Sequence, residues 1–145
     1  MLRQTRRKFL QQAAAGGIAA SFAIAGTKAS GKIIGANDRI RLGVAGIHGR
    51  GASHIDAFAS MKDVEIIYLI DPDTRTHASR TKQVQAKGGN TPKCVQDIRQ
   101  ALEDKTLDAV SVATCNHWHA LITFWACQAG KDVYIEKPIS HVYDE

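Results

Sequence analysis

A glycine-rich turn between a predicted strand and a predicted helix is the first feature of the sequence that could do chemistry. Residues 43–51 read GVAGIHGRG. Fitted to the pattern G-x-G-x-x-G, Gly46 is the first glycine and Gly51 the third, while His48 occupies the middle position. The pattern brings backbone close to a pyrophosphate at a helix N-terminus, whose N–H groups and dipole favour anions. His48 carries a Cβ into that approach, so we expect Gly49 to leave the room that the phosphate needs.

An acid lies where a dinucleotide-binding turn needs one. Asp71 comes 20 residues after Gly51, at the end of the apolar run Val64–Ile70. An acid at the end of the second strand accepts the ribose hydroxyls of an adenosine, and its charge repels a 2′-phosphate. The turn and Asp71 therefore predict NAD as the cofactor, and nearby Arg75 keeps NADP as an alternative. A plain helix-opening turn, with Asp71 capping the next helix, is the other interpretation.

A polar and aromatic cluster follows the fourth predicted strand. Its members are Cys115, Asn116, His117, Trp118 and His119. Three potential ligands within five residues suggest zinc, but zinc needs a fourth ligand and the sequence supplies no obvious one, so we predict no metal. The loop belongs at the carboxyl ends of the strands, where ligands bind, and its side chains suit a nucleotide or sugar pocket. The alternative is a capping histidine and a tryptophan packed on the sheet.

The tripeptide Glu136-Lys137-Pro138 ends the fifth predicted strand at the same edge of the sheet. A lysine beside a nicotinamide can polarise a substrate hydroxyl or carbonyl, aided by burial, and Glu136 is placed to orient its ammonium. Pro138 would fix the direction of the chain. Taken alone, the tripeptide is more often an exposed segment than a catalytic one.

Alternating strands and helices must position these residues. The predicted strands cover 39–45, 64–70, 93–95, 108–114 and 131–136. The predicted helices cover 52–62, 73–87, 97–104 and 119–129, with glycines after the second and the fourth. Regular alternation of this kind predicts an α/β fold with a Rossmann-type doubly wound parallel sheet. The nearly continuous apolar strand at 64–70 is typical of a strand covered on both faces.

The overall positive charge does not indicate a nucleic-acid partner. The chain has 145 residues, with 19 Lys+Arg against 14 Asp+Glu. Five of the positive residues lie in residues 1–29, and 19 minus five leaves 14 against 14 in the remainder. A neutral body offers no basic patch, so we predict no nucleic acid among the partners.

The first 29 residues have the three parts of an export signal. Arg6 and Arg7 lie in a positive segment, an apolar stretch covers 13 residues from Ala13 to Ala25, and small residues allow cleavage after Ala25 or Ala29. The paired arginines resemble the twin-arginine type, which predicts a periplasmic or otherwise exported protein and the twin-arginine machinery as a partner. The apolar stretch is shorter than the roughly 20 residues of a bilayer span, so we predict no stable membrane span. An amphipathic helix or a disordered arm is the alternative.

The three cysteines are expected to be unpaired. The twin-arginine resemblance implies a protein exported already folded from a reducing cytoplasm, and the count of cysteines is odd. We therefore predict that Cys94, Cys115 and Cys127 are free, small core residues rather than disulfide partners.

Together these residues resemble the Gfo/Idh/MocA family of nicotinamide-dependent oxidoreductases, which act largely on sugars and cyclitols. The resemblance covers about residues 38–145, and His48 and Cys115 depart from the family pattern. It implies that Lys137 is the catalytic lysine near the nicotinamide. The cofactor-binding residues that it implies are Gly46, His48, Gly49, Arg50, Gly51, Asp71, Asn116, His117, His119 and Glu136. Of these, the three from the loop after the fourth strand would line the junction of cofactor and substrate.

The resemblance also implies a division of the chain and a second domain. We expect a signal peptide at 1–29, a linker at 30–37 and the nucleotide-binding domain at 38–145. An α+β domain is expected beyond Glu145, where it would supply the substrate wall and a homo-oligomer face. On its own, the chain should bind a dinucleotide without turning over a substrate.

The expected function is hydride transfer between NAD(P) and a sugar or cyclitol, by the nucleotide-binding half of an exported oxidoreductase in which Lys137 assists the proton. A family alternative is an NAD-dependent glycosidase that oxidises, eliminates and re-reduces its substrate. Net redox change in the product separates these two. An alternative from another class is a non-catalytic module that binds a sugar or a nucleotide in the same cleft.

Overall fold

The computed structural model describes residues 39–140 and residue 142, and within them five parallel strands form one sheet. The strands are β1 (Ile40–Ala45), β2 (Val64–Ile70), β3 (Lys93–Val95), β4 (Ala109–Val112) and β5 (Asp132–Ile135). The helices are α1 (Gly49–Ala59), α2 (His77–Gly88), α3 (Ile98–Leu102) and α4 (His119–Gln128), with 3-10 turns at Thr74–Thr76 and Asn116–Trp118. β2 and β3 have the predicted bounds, and the other strands are shorter than predicted at one or both ends.

The sheet has the strand order β3-β2-β1-β4-β5, and every neighbouring pair is parallel. The chain builds one half outward from β1 to β3 and then returns to start the other half at β4. β1 pairs with both β2 and β4, so the strand order reverses beside β1. Ligands bind in the crevice at the carboxyl ends of the strands at such a point. The predicted α/β fold with a Rossmann-type doubly wound sheet is confirmed.

Two apolar layers cover the sheet, one on each face. One layer packs α1 and α2 on the sheet through Ile55, Val84 and Leu69, which are fully buried. The other packs α4 on the sheet through Ala126 and Val110, which are also fully buried. Burial of an aliphatic side chain the size of valine or larger stabilises a fold by about 1.5–3 kcal/mol, so both layers contribute to holding the strands in place.

The first helix begins at Gly49, earlier than the predicted start at residue 52. The Ala52 N–H donates to the carbonyl oxygen of His48 at 2.8 Å, so helical hydrogen bonding already starts from the glycine turn. Apolar periodicity marks only the buried face of a helix, and the first turn of α1 carries no such mark. The helix therefore extends directly into the turn that is proposed to bind phosphate.

The second predicted helix, 73–87, is divided in the structure. Asp73 caps the 3-10 turn that precedes α2, because its carboxylate accepts the Arg75 N–H at 3.1 Å. α2 then ends at Gly88, and Gly89 takes a left-handed conformation with a φ of +74°. The predicted glycine stop is confirmed.

The cysteines are free, but the predicted core positions are wrong for two of the three. Cys94 is half-buried, whereas Cys115 and Cys127 are exposed. Cys115 lies just before an exposed 3-10 turn, and Cys127 lies in the last turn of α4, so neither faces an apolar layer.

The predicted signal peptide at 1–29 and linker at 30–37 lie outside the described residues. Across residues 39–140 and 142, we find no helix with the length and apolar character needed to cross a membrane.

Candidate functional site

The glycine turn after β1 is closed by steric contacts that leave no room for a side chain at two positions. Gly46 has a φ of +79°, and a Cβ there would lie 2.7 Å from the backbone of Ala113. A Cβ on Gly51 would lie only 1.7 Å from the carbonyl oxygen of Gly46. Around Gly49, by contrast, no atom lies within 4 Å of a built Cβ. The first and third glycines of the pattern are therefore required by packing, and the space at Gly49 is open.

His48 adapts to the middle position by projecting away from the turn. It is the residue before α1, its side chain is 59% exposed, and it lines the cleft beside the turn. Its Nε2 lies 3.3 Å from Oδ2 of Asp73 and 3.9 Å from Oδ1 of Asp71. The first turn of α1 has no acidic side chain. Its N–H groups and positive dipole end therefore remain suited to an anion.

Asp71 is buried and holds the turn to the end of β2. One carboxylate oxygen accepts the N–H of Ile47 at 2.9 Å, and the other accepts the N–H of Asp73 at 2.9 Å. A carboxylate has about four lone-pair sites, so these bonds leave acceptor capacity for ribose hydroxyls. Asp71 also lines the cleft, where the sequence places it. Its bond to the turn is a second role that spacing alone did not predict.

The cleft lies at the carboxyl ends of β1, β2 and β4 and has a volume of about 860 Å³. This size falls within the range of small-molecule and cofactor pockets. One wall is polar, with His48, Asp71 and Asp73. The opposite wall is apolar and aromatic, and its members are Trp118, Leu121, Ile122 and Trp125. Of the residues predicted to bind the cofactor, Gly46, His48 and Asp71 line this cleft.

The loop after β4 places its three predicted site residues differently from one another. Asn116 and His117 lie exposed on the 3-10 turn. His119 is almost fully buried, with Nδ1 2.6 Å from the carbonyl oxygen of Pro138 and Nε2 3.1 Å from that of Thr114. Both partners are acceptors, so the ring ties this loop to the one after β5 and offers no nitrogen to a ligand. This position differs from the cleft-lining one that the sequence predicts.

Glu136 is bound to α1. Its Oε1 accepts the Nε–H of Arg50 at 2.7 Å and lies 2.8 Å from Nε2 of His54. These hydrogen bonds, first from His54 and then from Arg50, hold the pKa of Glu136 below its usual range. Among the described residues, the ion pairs of Glu136 are those with Arg50 and His54, and none joins it to Lys137. The expectation that Glu136 orients the Lys137 ammonium is therefore corrected: its carboxylate is engaged by α1.

His54 is a site residue that the sequence analysis missed. It is buried, and its Nδ1 lies 2.7 Å from the Oγ of Ser111 in β4. Its ring also makes edge contacts with Phe58 and Tyr134. If Ser111 donates to Nδ1, the Nε2–H is left to donate to Glu136, and all three groups are satisfied. Ser111 was the available signal, because a hydroxyl within a strand covered on both faces needs a partner.

Lys137 is exposed at the carboxyl edge of the sheet, directly after the anchored Glu136. The peptide bond between Lys137 and Pro138 is cis. Within residues 39–140 and 142, no group of three His, Cys, Asp or Glu side chains is arranged to hold a metal ion.

A family model described as "Oxidoreductase family, NAD-binding Rossmann fold", that of the Gfo/Idh/MocA proteins, matches residues 40–145. A curated relative from Shewanella pealeana, named glycosyl hydrolase family 109 protein, is 27% identical over 125 residues. The match covers 83% of this chain and 27% of the relative, so the chain spans about a quarter of that protein's length.

Solved structures give the same fold. GenD2 from gentamicin A biosynthesis, in complex with NAD, is 25% identical with a TM-score of 0.61, over 71% of this chain and 28% of GenD2. A levoglucosan dehydrogenase in complex with NADH is 23% identical with a TM-score of 0.63, over 71% of this chain and 29% of that one. The second likeness concerns the fold alone.

The contact between Gly51 and Gly46 generates a stability prediction. Gly51→Ala should lower the free energy of unfolding by about 3 kcal/mol or more, since its Cβ would overlap the Gly46 carbonyl oxygen and force the backbone apart. Gly49→Ala is the matched control, because its Cβ meets open space and alanine in a helix is favoured by about 0.5–1 kcal/mol. Urea unfolding followed by circular dichroism measures both. Equal stability of the two variants would contradict the packing argument.

The lowered pKa of Glu136 generates a pH prediction. Its ionised form should stabilise the fold above the ordinary value of 4.5, and that stability should be lost as the pH falls through the lower folded value. The urea midpoints of the wild type and Glu136→Gln should therefore differ at neutral pH and converge in acid. Glu103→Gln, at an exposed position, is the control and should follow the wild-type profile. A difference for Glu136→Gln that stays constant down to about pH 3 would refute the assignment.

Proposed function

We propose, from the premise that the chain belongs to the Gfo/Idh/MocA oxidoreductase family, that its cleft binds NAD for hydride transfer to or from a sugar or cyclitol. The observation that carries the proposal is the glycine turn. Gly46 and Gly51 pack where no Cβ fits, Gly46 just before the acid-free N-terminus of α1 and Gly51 in its first turn. A cradle of bare backbone at a helix start is what a pyrophosphate requires, so the residues present fit a dinucleotide.

The walls of the cleft suit the remaining parts of a dinucleotide. Asp71 retains acceptor capacity for ribose hydroxyls beside the turn. The apolar wall offers Trp118 and Trp125 for stacking and keeps water from the flat rings of a ligand.

Lys137 is proposed to serve the reacting end. When bound, NAD supplies the nicotinamide that accepts or gives the hydride. Lys137 would hold the substrate hydroxyl, taking its proton as the neutral amine during oxidation or returning a proton as the ammonium during reduction. The anchoring of Glu136 by Arg50 and His54 fixes the end of β5 and therefore the backbone from which Lys137 extends.

A second candidate function is a glycosidase in which the hydride returns to the product. The observation that favours it is the name of the Shewanella pealeana relative, a glycosyl hydrolase family 109 protein. The chain spans 27% of that relative, so either activity would belong to a longer protein that contains this domain. A dehydrogenase accumulates NADH with its product, whereas this glycosidase releases sugar with no net change in NAD.

We also propose that the protein is exported through residues 1–29 by the twin-arginine machinery. The paired Arg6 and Arg7 support this. Replacing both with lysine should abolish export of a fused reporter that crosses the membrane only when folded, and continued export would refute the route.

The ribose assignment predicts a loss of cofactor affinity on substitution of Asp71. NADH should bind the wild-type chain at one site, and Asp71→Asn should weaken it by about 1.5–3 kcal/mol, or about tenfold to a hundredfold, through the lost charged acceptor. Titration of NADH fluorescence measures both. Because Asp71 also binds the turn, thermal unfolding must show that the variant is folded.

The control for this titration is Asp63→Asn, an exposed acid that precedes β2 at the opposite edge of the sheet. It should leave NADH affinity unchanged. A wild-type chain that binds no NADH would overturn the cofactor proposal, and an Asp71→Asn chain with wild-type affinity would overturn the ribose assignment.

The role of Lys137 predicts a loss of turnover without a loss of cofactor. In a full-length protein containing this chain, Lys137→Ala should lower kcat by about a hundredfold to ten-thousandfold, as for a missing acid–base group. NADH affinity should be unchanged, and Lys105→Ala, also exposed, should affect neither quantity. Wild-type kcat in Lys137→Ala would remove the lysine from the mechanism.

A further inference from the structure

Two acids at neighbouring strand ends each hold the arginine that comes two residues later. After β2, Asp73 accepts the Arg75 Nε–H and Nη2–H, each at 2.8 Å, on its two carboxylate oxygens. After β3, Asp97 accepts the Arg99 Nε–H with both oxygens at 3.0 Å. Each acid also accepts the backbone N–H of its arginine. Both acids line the cleft, so the guanidinium beside each of them is already paired with a carboxylate.

The two pairs differ in where they stand relative to Asp71. The Asp73 N–H donates to Oδ1 of Asp71 at 2.9 Å, so Asp73 belongs to the same loop as the proposed ribose acceptor. Arg75 is 87% exposed on its side chain and is not among the cleft-lining residues that the structure describes. Arg99 lines the cleft from the start of α3, with its guanidinium 5.6 Å from the centre of the Trp125 ring.

The Asp73–Arg75 pair stays charged. Hydrogen bonds from the Arg75 side chain hold the pKa of Asp73 well below its usual range, and the same bonds raise the pKa of Arg75. The cleft therefore meets two carboxylates side by side, from Asp71 and Asp73. The Arg75 guanidinium, which could balance these two negative charges, is largely exposed to solvent. Among the described residues, the only other basic group in contact with Asp73 is His48.

We propose that Asp73, by holding Arg75 and by presenting its own charge beside Asp71, makes the cleft select NAD over NADP. The inference rests on the proposed function, because it concerns the adenosine end of the same cofactor. A 2′-phosphate on that ribose needs a cationic partner, and arginine at the end of the second strand is the side chain that usually supplies it. Here the arginine is present but engaged, and Asp71 and Asp73 place two carboxylates on the polar wall of the cleft.

Asp73→Asn tests the proposal. Asparagine caps a helix as well as aspartate does, so the 3-10 turn is retained while the charge and the bidentate pair are lost. The ratio of NADPH to NADH affinity should rise by about tenfold or more, as expected when a phosphate gains a charged partner. Titration of the fluorescence of each reduced cofactor with the same chain measures both affinities. Asp73→Ser also retains a capping oxygen and should give the same gain in NADPH affinity relative to NADH, so it is the variant to use if Asp73→Asn is thermally unstable.

Asp63→Asn is the control, because it makes the same charge change at an exposed acid that does not line the cleft. It should shift the ratio of NADPH to NADH affinity by less than about threefold. The double variant Asp73→Asn with Arg75→Ala should lose the gain, since Arg75 is the group that Asp73 releases.

The outcomes separate this inference from the function on which it rests. A wild-type chain that binds neither cofactor overturns the cofactor proposal itself. A wild-type chain that binds NADH, with an unchanged cofactor ratio in Asp73→Asn or an equal shift in Asp63→Asn, overturns the role of Asp73 alone. A gain of NADPH binding confined to Asp73 variants that retain Arg75 supports it.

Discussion

The packing of α1 against the glycine turn is the constraint on which the site depends. A Cβ on Gly51 would meet the Gly46 carbonyl oxygen at 1.7 Å, and Gly46 itself has a left-handed φ of +79°. Because no side chain intervenes, the helix begins as soon as the chain has left β1, and its free N–H groups stand at the switch point of the sheet. Asp71 then fixes the same turn through the Ile47 N–H. A small change in this contact would move the turn and the helix together.

The same helix connects the glycine turn, where the phosphate is proposed to bind, to the end of β5, where Lys137 is proposed to act. Arg50, in its first turn, and His54, one turn later, both bind the carboxylate of Glu136. Glu136 is also held by its backbone N–H, which donates to the carbonyl oxygen of Val112 at 3.0 Å. Lys137 therefore extends from a segment that is fixed to α1 and to β4.

The sequence predicted those features that depend on local pattern. The bounds of β2 follow from a continuous apolar run, and the end of α2 follows from Gly89, because both signals lie within the element itself. The His54 contacts could not be found this way, since they join residues 57 and 82 positions apart in the chain. His119 was misplaced for a related reason: its spacing after β4 suits a cleft residue, but the carbonyl oxygen of Pro138, 19 positions away, binds its ring.

Asp71 shows why the demands of the fold and of the ligand are hard to separate at this site. The carboxylate that suits a ribose is also the acceptor that holds the turn, so a substitution there changes the cradle and the contact together. Asp73 is different, because its bonds end on an exposed arginine and on the cap of a short 3-10 turn. Selection among cofactors can therefore change at Asp73 while the turn stays intact. Under that proposal, the cleft keeps its binding fixed at the buried Asp71 and sets its specificity at the half-buried Asp73.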